Sequence, residues 1–323
     1  MPMRREIHLR GGDDRLHKYI LRRLLMMVPV LIGVTFIIFT LTYFTEGDPA
    51  RMLAGIQAPE DQVELLREEL GLLDPFAVQY FRYISNLARL DFGTSFATGR
   101  PVFEEIISRF PTTMHLTAMS IVIALLIGIP LGILSATKQY SIFDGAATFV
   151  GLMGISIPNF WLSLMLILFF SVQLDWLPAS GFHEPIRWIL PSFSIGISSA
   201  AIIMRMTRSS MLEVLRQDYI RTAKAKGQKG SVIIFRHALK NALIPVITIV
   251  GLEVGVLLGG AILTENIFSI AGIGRFMVEA IARRDYPIMQ GGVLLLALTF
   301  SMVNLIVDVI YAYVDPRIRS QFS

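Results

Sequence analysis

The chain has no cysteine, which removes disulfides, thiolate nucleophiles and Cys-ligated metals together. Histidine is scarce. Of the five present, none stands in a His-x-x-x-His or Glu-x-x-His pair, so no metal site is visible. No Gly-x-x-x-x-Gly-Lys-[Ser/Thr] run occurs, so this chain carries no nucleotide loop. Ser156 and Ser163 are framed by no Gly-x-Ser-x-Gly elbow, and His115, the histidine best placed for catalysis, has no motif around it. No catalytic residue is assigned. Charge is the most telling shortage: at 17% Asp, Glu, Lys and Arg, the chain falls well below the roughly 25% of soluble domains.

The charges are missing in blocks. Residues 24–44, 114–137 and 145–174 hold none, and 54% of the chain is hydrophobic at a mean hydropathy of +0.60. A bilayer core of about 30 Å takes about 20 helical residues to cross, so each block can span. Spans are expected at about 24–44, 114–136, 150–173, 188–204, 242–263 and 288–307. The fold class is therefore all-α, a polytopic membrane protein with six transmembrane helices. The first block follows a basic stretch, as a signal peptide would, but it is too long and lacks a small-residue cleavage site; it reads as a retained span. The fourth carries Ser192, Ser194, Ser198 and Ser199, which predicts a helix inside the bundle, where hydroxyls find partners.

Lys and Arg set the orientation. Seven precede the first span, Lys138 follows the second, nine lie in 205–240, and Arg317 and Arg319 end the chain, including every lysine; the opposite side has ten against 16 acidic residues. Both termini are expected in the cytoplasm, and the net charge of +4 needs no nucleic acid to explain it.

Four regions follow: a basic cytoplasmic tail over 1–18, unstructured across 4–15; the first span with an external helical cap over 19–113; a five-helix core over 114–319 with a cytoplasmic loop at 205–240; and a short tail over 320–323. In the cap, Pro59 and Pro75 open helices that end before Gly71 and Gly93, the proline-in, glycine-out asymmetry of capped helices. Val63, Leu66 and Leu70, then Tyr80, Tyr83, Ile84 and Leu87, recur at helical spacing.

The cytoplasmic loop reads Asp218-Tyr219-Ile220-Arg221-Thr222-Ala223-Lys224-Ala225-Lys226-Gly227, then Arg236-His237-Ala238-Leu239-Lys240-Asn241-Ala242-Leu243-Ile244-Pro245. Ala223 to Lys226 are good helix formers, Gly227 suits a left-handed stop, and a second helix is expected to re-enter the membrane near Asn241. By charge alone this could be a solvated basic loop. Its order of elements resembles the cytoplasmic loop of binding-protein-dependent ABC importer permeases, in the form used by the dipeptide/oligopeptide/nickel family. Gly227, Asn241 and Pro245 match the general Glu-Ala-Ala…Gly…Pro signature; Arg221, Thr222 and Ala223 replace Glu-Ala-Ala, as that family does. Further resemblance lies in Gly47-Asp48-Pro49-Ala50, Pro178-Ala179-Ser180-Gly181, Thr264 to Gly274 and Asp315-Pro316-Arg317-Ile318-Arg319, so it covers about 18–319. Ala271 stands where the family often has proline.

The resemblance implies a type I importer bundle in a bacterial or archaeal cytoplasmic membrane. It also implies a second, similar permease, two ATPase subunits that hold ATP and Mg, and an external binding protein. Residues Arg221, Thr222, Ala223, Lys224, Ala225, Lys226 and Gly227 would contact the ATPase; Asp218, Tyr219, Asn241 and Pro245 would frame the loop. No cofactor is expected on this chain.

Within the spans, Glu253 is an ionisable group in mid-helix, which costs at least about 2.5 kcal/mol and must face the bundle or a wet cavity. Gly251, Gly255 and Gly259 repeat every four residues, a stripe for close helix packing. Glu253 points away from that stripe, so it either looks into a translocation path or is a buried acid, neutral or hydrogen-bonded to a serine such as those of the fourth span. Ser156 and Pro158 join it as path candidates, since Pro158 should kink the third span, as Pro130 should the second. Asp308, near the inner end of the sixth span, can reach the membrane interface or pair with a terminal arginine. The reading from another class is a self-sufficient channel or ion-coupled carrier; that would favour more intramembrane charges or an inverted repeat, and neither is seen.

Overall fold

The computed structural model describes the backbone of residues 4–314 except 46 and 56, with side chains over 20–310 and the same exceptions. The Asp315-Pro316-Arg317-Ile318-Arg319 motif and the 320–323 tail lie outside the described residues. In chain order the α-helices are α1 (Arg4–Phe44), α2 (Pro49–Ala54), α3 (Glu60–Glu69), α4 (Phe76–Ala88), α5 (Val102–Thr137), α6 (Ile142–Ser156), α7 (Asn159–Leu166), α8 (Ile189–Leu215), α9 (Asp218–Ala225), α10 (Gly230–Val232), α11 (Leu239–Ile267), α12 (Ile273–Ala282) and α13 (Tyr286–Val314). Among the described residues there is no strand, only one isolated bridge between Thr94 and Pro101.

Among the described residues, five helical stretches are long and apolar enough to cross a membrane: Ile20–Phe44, Val102–Thr137, Pro185–Leu215, Gly230–Ile267 and Tyr286–Ile310. The sixth is a broken pair, Ile142–Ser156 and Asn159–Gln173, bent by 101°. The bend falls at Pro158 as expected, but it is a break and not a kink, and the helical pair begins at Ile142 and not at 150. Pro158 has no N–H to give and Ile157 is extended at ψ 123°, so α6 stops and α7 restarts in a new direction. In contrast, α5 runs unbroken through Pro111 and Pro130 and starts at Val102, well inside the stretch assigned to the cap. Residues 4–15, expected to be unstructured, continue α1 back to Arg4; the Gly11-Gly12 pair weakens a helix by about 1 kcal/mol per residue but does not end it.

The chain divides into two units. The first takes in Met114–Ile270 with the chain up to Leu24 and from Phe300 on. Its centre is α8, the most buried of the candidate spans. Small residues let α5 close on it: a Cβ at Gly128 would stand 2.6 Å from Ala200 O, and one at Gly196 would stand 2.8 Å from Ser120 O. The α8 hydroxyls are only partly provided for. Ser194 donates to Pro191 O and Ser198 lies 2.7 Å from Asn159 Oδ1, while Ser192 Oγ has no partner among the described residues.

The second unit joins Leu25–Thr113 with Ala271–Thr299. Here α3 and α4 follow Pro59 and Pro75, and Gly71 and Gly93 lie beyond their ends at positive φ. Aromatic rings seat α4 on α1: Phe36 meets Tyr80 and Phe39 meets Phe76, each with centroids 5.4 Å apart. Val102 and Ile106 pack with Ala280 and Ile288, and the buried Asp285 carboxylate accepts from Ser95 Oγ and the Phe96 and Ala97 amides. The α12 helix was not foreseen, although Ile273, Met277 and Ala280 bury one helical face.

Candidate functional site

The 218–245 segment forms a short helix, a reversal and a long helix. Gln217 is extended at ψ 150° and Asp218 stands in the first turn, where its charge favours the helix N-terminus. The stop is a Schellman motif: Gly227 at φ +71° donates to Lys224 O at 3.0 Å, and Gln228 N to Ala223 O at 3.3 Å. A Cβ at Gly227 would meet nothing within 4 Å, so its backbone angle, not crowding, is what calls for glycine. The returning helix begins at Gly230, earlier than expected, with a π-helical turn over Ile233–Ala238 before α11.

One face of α9 is fastened to the bundle. Ile220 and Ala223 are buried in a cluster with Ala136, Met211, Ile233, Ala238 and Ala242. Beside it, Asn241 Nδ2 donates to Tyr219 Oη at 2.8 Å, and His237 Nε2 lies 2.7 Å from Gln228 Oε1. Pro245, inside α11, cannot bond back to the Asn241 carbonyl. Thr222 is tied to its own helix through Asp218 O at 3.0 Å, and Arg221 makes only an exposed ion pair with Asp218. Arg221, Thr222, Lys224, Ala225, Lys226 and Gly227 therefore lie open, while Ala223 does not. Its placement among the outward contacts is corrected: it is one turn from Ile220 on the inward face.

Next to that seat, where Ser135 precedes Ala136, lies a cluster the sequence reading missed. Arg208 of α8 donates through Nε and Nη2 to both oxygens of Asp144, at 2.7 and 2.8 Å. Ser135 of α5 donates to the same carboxylate, and the Tyr140 amide adds a bond at 3.0 Å. Three helices are thus joined where α8 runs toward α9. A signal was available, because Ser141 caps α6 and Asp144 is the acid three residues on, the spacing of a capping box; Arg208 had been counted only toward orientation.

The path candidates differ in exposure. Ser156 and Pro158 are exposed at the α6–α7 break. Glu253 is buried, 5% exposed, and its Oε2 has no partner among the described residues, so the bonded alternative is not seen at that oxygen. The glycine stripe holds in part. A Cβ at Gly251 would stand 2.6 Å from Val307, and one at Gly255 would overlap the Phe300 ring. Gly259 is corrected: nothing among the described residues lies within 4 Å of its Cβ position, so none of them needs glycine there. Asp308 pairs with Arg23 at 3.1 Å, and His115 meets Trp188 edge-on with centroids 4.5 Å apart.

Residues 128–320 match the family model described as a binding-protein-dependent transport system inner membrane component, and residues 16–117 match the model for the N-terminal part of such components. The dipeptide transport system permease protein DppB of Alkalihalophilus pseudofirmus is 47% identical, over 93% of this chain and 99% of the relative. The glutathione transport system permease protein GsiC of Salmonella paratyphi A is 44% identical, over 93% and 98%. Among solved structures, an inward-facing form of the MetNI methionine ABC transporter has a similar fold, with a TM-score of 0.57 at 19% identity over 66% of this chain and 97% of that one.

Proposed function

The chain belongs to the family of binding-protein-dependent transport system inner membrane components, and from that premise we infer that it is a permease subunit of an ATP-driven importer for peptides or similar small solutes. The two relatives above are named for a dipeptide and for glutathione, both short peptides, which favours that cargo class. A second, similar permease completes the path. Two cytoplasmic ATPases hold ATP and Mg, and an external binding protein delivers the cargo. Both termini face the cytoplasm.

The observation that carries the reading is the seating of α9. Its outward face leaves Arg221, Lys224 and Lys226 exposed, and its inward face packs through Ile220 and Ala223 on the Ile233–Ala238 turn that runs into α11, in a cluster that also holds Met211 of α8. A push on so short a helix is not absorbed by bending; it passes to the Ile233–Ala238 turn beneath it and so into α11. The chain then acts as a transmission, passing ATPase closure to the path.

The test is Gly227→Val. A β-branched residue in the left-handed region costs about 1–3 kcal/mol and should disturb the reversal without touching the spans. Assembly should persist while substrate imported per ATP hydrolysed falls in proteoliposomes; normal coupling would falsify the assignment of α9. Orientation is checked separately with Asp61→Cys and Lys229→Cys in this cysteine-free chain. An impermeant maleimide added to intact cells should label the first and spare the second.

A further inference from the structure

The Gly47-Asp48-Pro49-Ala50 motif has no part in coupling, and in the second unit it borders a cavity of about 590 Å³. Asp48 Oδ1 caps α2 by accepting from Ala50 N at 3.1 Å, and Oδ2 accepts from Arg67 Nε at 3.0 Å and Nη2 at 2.6 Å. Burial works against this charge, but the Arg67 guanidinium and the Ala50 and Arg51 amides outweigh it and hold the carboxyl below its ordinary range. Arg67 is committed elsewhere too, to Glu64 at 2.6 Å and Glu60 at 3.2 Å. With Arg51 on Glu60, two guanidiniums answer three carboxylates. Arg67, the one cation among the residues that line the cavity, is thus committed to carboxylates, while the guanidinium of Arg284, outside that lining, lies against Gly47.

The rest of the lining has spare acceptors. Gln79 Nε2 donates to both Leu72 O and Asp74 O, at 2.9 and 2.8 Å, which uses both amide protons and leaves Oε1. Thr42 Oγ1 gives its proton to Phe39 O and so accepts from Gln290 Nε2 at 2.7 Å, which leaves the Gln290 oxygen as well. The apolar walls include the rings of Phe39, Tyr43, Phe96 and Tyr286, whose faces attract cations.

We propose that this cavity binds a small organic ammonium group, the class that includes the free amino terminus of a short peptide. The ammonium would lie against the oxygens of Asp48, Gln79 and Gln290, with the adjoining hydrocarbon on the rings. This goes beyond the permease reading, which supplies only the choice of a peptide as probe.

The experiment uses the full transporter in nanodiscs without its binding protein. Trialanine and N-acetyl-trialanine are compared by saturation-transfer NMR and equilibrium dialysis. The free amine should bind about tenfold more tightly than the acetylated form, the worth of a hydrogen bond to a charged group. Asp48→Asn, which keeps the helix cap, should abolish that preference. Gln290→Met leaves the Asp48–Arg67 pair in place and should narrow the preference about threefold to tenfold, so a misfolded cap in the first variant does not decide the matter. Equal binding of the two peptides, or a preference unchanged in both variants, overturns the proposal. Uptake and ATP hydrolysis by the same preparation in proteoliposomes, with the binding protein restored, report on the permease reading separately.

Discussion

Asp144 and Glu253 are buried to the same degree in the same unit, each 5% exposed, but they are provided for very differently. Asp144 receives both arms of Arg208, the Ser135 hydroxyl and the Tyr140 amide. Glu253 has an oxygen with no partner at all among the described residues. Position explains the difference. Asp144 stands in the first turn of α6, near a helix end where amides are free and a neighbouring arginine can arrive alongside. Glu253 lies in the middle of α11, where the backbone is already spent on the helix, and the face it shares, with Val250 and Leu257, packs into apolar clusters. The first carboxylate is a joint between helices. The second is a cost the fold tolerates, which points to a use outside stability.

The largest effect should come from breaking the joint. Asp144→Ala would leave the guanidinium of Arg208, 28% exposed at its side chain, without its counter-charge, a loss of about 3–5 kcal/mol. The thermal inactivation midpoint of the solubilised transporter should fall accordingly. Arg208→Lys should recover only part of this, because a lysine cannot reproduce the two-armed contact. Replacing both partners by apolar residues, Asp144→Leu with Arg208→Met, should restore most of the stability. Wild-type stability in Asp144→Ala would mean that the two carboxylates do not differ in the way described.

How far these features could be read from the sequence follows the same line between ends and middles. Runs such as 24–44 and the α9 stop at Gly227 were legible because each is a local statement, of length or of backbone angle. The break at Pro158 was legible as a position but not as a 101° turn, since proline removes a bond without dictating where the chain goes next. Arg208 and Asp144 are 64 residues apart; nothing local pairs them, and Arg208 was absorbed by the orientation count. Gly259 shared the spacing of Gly251 and Gly255, yet spacing gives the face of a helix and not how far along it a neighbour extends. The inward turn of Ala223 was recoverable, since Ile220 and Ala223 are three residues apart beside charged neighbours.

A second, smaller effect separates the two ends of the glycine stripe and so defines what holds the helix that carries Glu253. Gly255→Val would drive a side chain into the Phe300 ring, an overpacking of about 1–3 kcal/mol. Gly259→Val enters open space and should leave the stability of the isolated chain within about 0.5 kcal/mol. Thermal midpoints of the purified chain in detergent give the comparison. Equal losses at both positions would show that Gly259 is crowded after all.

The smallest stability effect, and the one with most to say about transport, is expected at Glu253. Glu253 Oε2 has no partner among the described residues, so Glu253→Gln removes no hydrogen bond at that atom. Because the amide stays polar, the folded chain should remain within about 1 kcal/mol of wild type. Glu253→Leu, which takes the polar group away, should gain stability by up to about that much. A gain of that kind at a site with a working role is commonly matched by lost activity, and the loss should depend on cargo. An acid beside the path offsets the desolvation of a passing ammonium group, so uptake of cationic peptides should suffer more than uptake of anionic ones, with Leu worse than Gln for polar cargo. The measurement is uptake of a peptide series differing only in charge, with ATP hydrolysis and assembly yield recorded alongside. Should Glu253→Gln destabilise the chain as Asp144→Ala does, the carboxylate has a partner and belongs with the joints. Wild-type uptake of every peptide by both variants would make it a buried acid without a transport role.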